Sequence, residues 1–203
     1  MFPTLSEKVR KAIEIAPSGI ATLDVLESLH LCGADTLKTT LNRLNKKGAI
    51  ARLKRGTYAA LPLQDGFAGA VATFNGYLGF SSALYLHRLT TEQPFTITII
   101  TTSTSATKSF GQYEFKAVAL KKKAVGFEYL GNFAASTRSK TLFDCLYLPN
   151  YSIEHEKLVE AFGNAKLSKS EWIEFDRYAQ RYASGKTKER MHKTKKEIRE
   201  WTP

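Results

Sequence analysis

The chain has 203 residues, 43% of them hydrophobic, and a formal net charge of +11. That length and apolar content suffice for one large or two small cores, and a basic balance of this size favours a polyanionic partner. No segment resembles a signal peptide or approaches the ~18 apolar residues of a membrane span, so no membrane partner is expected and the location is expected to be cytoplasmic. The basic excess is spread. Residues 1–64 carry 10 Lys+Arg against 5 Asp+Glu, residues 65–150 carry 8 against 5, and residues 151–203 carry 12 against 9.

In residues 1–16, Leu5, Val9, Ala12, Ile13 and Ala16 trace an amphipathic helix closed by Pro17-Ser18-Gly19. Thr22 is positioned to cap a second helix bearing Leu23, Val25, Leu26 and Leu29, and residues 31–34 supply a short turn. A third helix follows, with Leu37, Leu41 and Leu44 at i, i+4 and i+7 on one face, Asp35 expected as its cap and Gly48 as its end. The rest of its surface carries Thr36, Lys38, Thr39, Asn42, Arg43, Lys46 and Lys47, side chains that donate to phosphates and, for Arg, Lys and Asn, to base edges. Residues 49–53 and 57–61 then form two short apolar strands around Lys54-Arg55-Gly56, where glycine supplies the positive φ of a tight turn. Lys54 and Arg55 would sit at its tip, within reach of phosphate or a minor groove. A basic face alone would be only a solvated helix. Three helices and a ribbon in this order match a winged helix-turn-helix, a reader of double-stranded DNA, although some such domains only dock protein.

Beyond Pro62, Gly66, Gly69, Gly76 and Gly79 are spaced through apolar residues and mark an interdomain joint. Residues 81–89 read as a helix, residues 95–101 as a β-branched strand started by Pro94, and residues 103–109 as a Ser/Thr-rich loop. Strands are expected at 112–120 and 125–130, with Lys121-Lys122-Lys123 as a soluble turn between them, then a helix at 138–148 that Pro149 stops. Residues 153–162 form a further helix, broken by Gly163-Asn164. Ser168 and Glu171 make a capping box before Trp172, Phe175, Tyr178, Ala179 and Tyr182, an aromatic stripe suited to a core or a dimer seam more than to base stacking. The basic run 186–199 has little apolar face and reads as a frayed surface helix or a phosphate-contacting tail. The expected fold is thus α+β in three parts: a winged helix-turn-helix in residues 1–64, a small α+β domain in 65–150, and C-terminal helices with a basic tail in 151–203. A monomer or homodimer is expected.

Little in the sequence points to catalysis. Glu114-Phe115-Lys116 has the E-x-K form of a metal-dependent nuclease, but such a site needs a second acid nearby, and between Gly66 and Tyr113 the only one is Glu92. Glu114 and Lys116 therefore read as the solvent face of a strand, with a nuclease as an alternative. Lys140 and Asp144, at i and i+4, read as a surface ion pair. Cys32 and Cys145 lack metal-ligand spacing and read as reduced, buried residues, and His30, His87, His155 and His192 are isolated. No catalytic residue, cofactor or metal is expected, and the protein reads as no enzyme.

The segments RGTYAALP (55–62), SSALYLHRL (81–89), FTITIIT (95–101) and ASTRSKTLFDCLYL (135–148) together resemble the AbiEi family of type IV antitoxins and transcriptional regulators. The resemblance covers about residues 5–150 and rests on order and spacing. It implies a winged helix that binds the promoter of its own operon and a C-terminal domain that counters a nucleotidyltransferase-like toxin encoded beside it, with no cofactor and no catalytic residues. The expected function is a DNA-binding regulator that represses its own operon. Lys38, Thr39, Asn42 and Arg43 would read bases, and Lys46, Lys47, Lys54 and Arg55 would grip phosphates. An antitoxin acting mainly on such a toxin is the alternative.

Overall fold

Helix caps and short β-ribbons organise the N-terminal part of the molecule. The computed structural model describes residues 2–202, while Met1 and Pro203, at the outer ends of the first and last expected segments, lie outside the described residues. α1 (Leu5–Glu14) starts at Thr4, whose hydroxyl accepts from the Glu7 N–H while the Glu7 carboxylate accepts from the Thr4 N–H. Its Val9 and Ile13 are fully buried. A 3-10 turn at Pro17–Gly19 leads into β1 (Ile20–Thr22), and α2 (Leu23–Ser28) is capped by Thr22, as the sequence indicates.

α3 (Ala34–Lys46) is capped by Gly33, two residues earlier than expected. Asp35 instead lies in its first turn, where a carboxylate favours the positive end of the helix dipole. Leu37, Leu41 and Leu44 are buried, joined by Thr40, and Gly48, at φ +68°, turns the chain. β2 (Ile50–Lys54) and β3 (Thr57–Ala60) follow, with Gly56 at φ +72° between them. β3 pairs antiparallel with both β1 and β2, giving the sheet order β1-β3-β2. Val9, Ile13, Leu26, Leu37, Leu41 and Ile50 belong to one core.

The expected glycine-rich joint is a helix. Asp65 caps α4 (Gly66–Thr73) by accepting from the N–H groups of Phe67 and Ala68. A Cβ on Gly69 would meet the Phe115 ring at 2.9 Å, so this glycine permits close packing. α4 groups with the first of two compact units, Met1–Asn75 with Thr107–Phe115. The second comprises Gly76–Ala106 and Lys116–Pro203, so the division differs from the three segments 1–64, 65–150 and 151–203.

The remaining strands are β4 (Tyr77–Leu78), β5 (Thr96–Thr101), β6 (Ala106–Phe110), β7 (Tyr113–Ala119), β8 (Phe127–Leu130) and β9 (Phe133–Ser136), in sheet order β6-β7-β5-β4-β9-β8. The sheet is mixed, since β4 runs antiparallel to β5 and parallel to β9. The polar loop expected at 103–109 contains β6, an edge strand whose exposed ATKS lacks the apolar alternation that marks a strand. α5 (Phe80–Leu86) precedes β5, and Lys121–Lys123 is a 3-10 turn.

α6 (Arg138–Tyr147) is capped by Thr137 and buried from Ser139 through Leu146. α7 (His155–Ala165) runs through Gly163-Asn164 and is not broken there. The Trp201 ring occupies the space a Cβ on Gly163 would need, so this glycine serves packing and the helix ends only at Lys166, φ +49°. α8 (Lys169–Tyr182) has the expected Ser168–Glu171 capping box. Its aromatic stripe is core, with Phe175 and Ala179 buried and Tyr178 and Tyr182 about the Phe143 ring at 5.8 and 6.2 Å between centroids. α9 (Gly185–Arg199) buries Met191, Thr194 and Ile198, and its Lys195 bonds both Asp176 carboxylate oxygens at 2.6 and 2.7 Å. The expected frayed tail is therefore a packed helix of the second unit. Among the described residues no helix is long and apolar enough to cross a membrane.

Candidate functional site

In the first unit, one face of α3 and the β2–β3 hairpin line an open groove. Lys38, Asn42 and Asn45 flank it from the helix, at i, i+4 and i+7, and Arg52, Arg55 and Tyr58 from the hairpin, with Thr22 and Asp24 of the α2 start closing one end. The hairpin is tied to the helix because the Asn45 side-chain oxygen accepts from the Arg52 N–H at 2.9 Å. With its oxygen committed to that bond, Asn45 anchors the Arg52 backbone beside α3. Asn45 and Arg52 were not expected in the site. A signal for Arg52 was present, since it is the one charged residue in the otherwise apolar run 49–53 and so marks a strand position that faces solvent.

The exposed residues of α3 do not all converge on the groove. At about 100° per residue, Thr39, Asn42 and Lys46 fall near the middle of the exposed face, with Lys38 on the hairpin side and Thr36, Arg43 and Lys47 toward the opposite edge. The Thr39 hydroxyl donates to the Asp35 carbonyl at 2.9 Å, which leaves it an acceptor toward a ligand. Lys38 Nζ stands 3.8 Å from a Glu27 carboxylate oxygen, an exposed pair that partly offsets its charge. Lys54 is half-buried and donates to the Asn75 side-chain oxygen at 3.3 Å, so it is less available than Arg55. Arg43, Lys46, Lys47, Arg52 and Arg55 are exposed and have no ion-pair partner among the described residues. Lys108 adds a cation that braces β2, donating to the Leu53 carbonyl at 2.8 Å. Such a concave surface, with guanidinium groups on one wall and an amide and an ammonium on the other, suits a phosphodiester backbone with base edges between.

The second unit holds a different polar cluster. Lys140 and Asp144, expected as a surface pair, are both fully buried and bonded to each other. The i, i+4 spacing is indifferent to exposure, and the apolar residues all around α6 put this pair inside. The Lys140 ammonium lies 5.3 Å from the Phe143 ring centre and 5.8 Å from that of Tyr178. Burial pushes the Asp144 carboxyl up and the Lys140 ammonium down, and each charge opposes the other's shift. Next to them Cys145 is buried and its thiol is pushed up to about 12 by burial, whereas Cys32 is half-buried, not buried as expected. His87 donates from Nε2 to the Ser136 carbonyl at 2.7 Å, and burial holds its imidazole below the usual value. Glu114 and Lys116 are half-buried on either side of buried Phe115, and the Lys116 ammonium stands over the Tyr151 ring at 5.0 Å.

No protein-family model matches the chain, and no curated protein matches it significantly.

Proposed function

We propose that the first unit is a winged helix-turn-helix and that the protein is a sequence-specific DNA-binding transcriptional regulator of the AbiEi type, acting in the cytoplasm on its own operon. The groove between α3 and the β2–β3 hairpin carries this reading, because Lys38, Asn42, Arg52 and Arg55 converge there on a surface tied together by the Asn45–Arg52 bond. In this account α3 enters a major groove, with Asn42 and Lys38 at base edges and Lys46 at phosphate, while the hairpin is the wing and its Arg52 and Arg55 grip the backbone. The likeness to AbiEi proteins is a fold-level analogy. A selection from random duplexes with the full chain tests the reading. A recovered consensus supports it, and paired half-sites about one helical turn apart would mark a homodimer. Recovery of no enriched sequence rejects it.

One feature of the second unit favours a second activity, the neutralisation of a nucleotidyltransferase-like toxin. β8 is an edge strand with Phe127 and Tyr129 52% and 75% exposed, and two aromatics on an unpaired edge suit a protein partner. Co-expression with such a toxin, if one is encoded beside this gene, restores growth under this reading, and failure to restore it removes the second activity.

A further inference from the structure

The first unit carries a second groove, of opposite character. It runs between α1 and the segment joining α2 to α3, has a volume of about 800 Å3, and its floor is apolar: Ala12, Ile15, Leu29, Leu31, Leu44 and Ala49. Ile15 is 72% exposed and Leu29 48%, large apolar side chains with no cover. Along α1, Lys8, Ala12 and Ile15 recur at i, i+4 and i+7, so a lysine stands at one end of an apolar stripe and Lys11 flanks it.

The charges on the rim are unequal in their commitments. Glu14 is paired with Arg10 at 2.7 Å, and Glu7 is held in the helix cap, where its bonds to the Thr4 backbone and hydroxyl keep its carboxyl below the usual range. Lys8 and Lys11 are exposed and have no hydrogen-bond or ion-pair partner among the described residues. Glu7 keeps its charge there, so three cations (Lys8, Arg10, Lys11) against two carboxylates (Glu7, Glu14) leave the apolar floor with a rim of net charge +1, carried by unpaired lysines. The groove is open along its length, whereas a small-molecule site buries most of its ligand.

We infer that this groove docks an amphipathic helix of a partner protein, apolar on the face that meets Ile15, Leu29 and Leu31 and acidic on the flank that meets Lys8 and Lys11. Side chains at i, i+3, i+4 and i+7 of the incoming helix fill the floor, the usual anchors of a helix in a groove. No residue lines both this groove and the cationic one, so a partner held here covers none of the residues that line the cationic groove. The inference stands whether or not the α3 groove binds DNA.

The test uses the full chain and a fluorescent designed helix of about 18 residues, leucines on one face and glutamates on the flanks, beside a copy with lysines for glutamates. The acidic helix binds saturably and the basic one about tenfold more weakly or not at all, and added salt narrows the gap. Ile15→Glu and Leu29→Glu, at exposed positions, each weaken the acidic helix about tenfold or more while circular dichroism shows the fold retained. Lys8→Glu with Lys11→Glu reverses the preference between the two helices. Equal binding of both helices, binding of neither, or binding indifferent to Ile15→Glu overturns the inference. Sedimentation velocity supplies a further arm: self-association of the full chain that Ile15→Glu abolishes would assign the groove to a second copy and overturn it too.

Discussion

Arg52 and Asn45 change what the cationic surface can do. Asn45 accepts from the Arg52 backbone and Lys54 donates to Asn75, so the guanidinium groups that the hairpin offers are those of Arg52 and Arg55. Replacing Asn42 by Ala should relax base preference at one position, at a cost of about 1–3 kcal/mol, without altering the salt slope. Glu27→Gln removes the carboxylate 3.8 Å from Lys38 and should tighten binding to all duplexes severalfold, as read by anisotropy. The two thiols should also differ: native protein near pH 8 exposes Cys32 to a disulfide reagent, while Cys145, buried and pushed up to about 12, reacts only on unfolding. His87 gives a pH dependence. Because burial lowers its folded value below 6.5, its contribution to stability is whole above about pH 6.5 and is lost as the pH falls further. His87→Gln should therefore flatten the decline in Tm between about pH 7 and 5.5.

At the scale of elements, helices were legible where a side-chain cap marked the start, as at Thr22 and Ser168, and α3 was legible from its Leu37–Leu41–Leu44 period although its cap was misplaced. β1, β4 and β6 were not, because two or three residues cannot show an alternation and an edge strand of polar residues has none to show. α9 hid its buried face because one of its three buried residues is a threonine among many lysines. The groove was legible in part: Lys38, Asn42 and Arg55 lie in it, whereas the tie from Asn45 across seven residues is a tertiary contact that no periodicity announces. α6 offers the clearest energetic test. Asp144→Ala leaves the Lys140 charge buried and unpaired and should cost about 3–5 kcal/mol in chemical denaturation. The joint change Lys140→Met with Asp144→Leu should be far milder, since it removes both desolvation costs. Equal losses in the single and joint variants would mean that the pair is not the source.

For the molecule as a whole, the C-terminal helices are part of a core. Leu158, Phe162, Phe175, Met191 and Ile198 belong to one cluster with Phe80, Leu142 and Phe143 of the second unit. A chain ending at residue 150 should lose the cooperative unfolding of that unit, seen as the loss of slow amide exchange in α6. The net charge of +11 is likewise shared along the chain, and in α9 ion pairs engage Lys193, Lys195 and Lys196. Among the unpaired cations of the first unit, Arg52 and Arg55 are arranged around the α3 groove. That arrangement is tested most directly by the salt dependence of DNA binding by the full chain, measured on a selected duplex with and without Arg52→Ala and Arg55→Ala together. The double variant should bind every duplex more weakly, with a plot of log affinity against log salt that is shallower by about two units. A slope and affinity unchanged by the double substitution would contradict it.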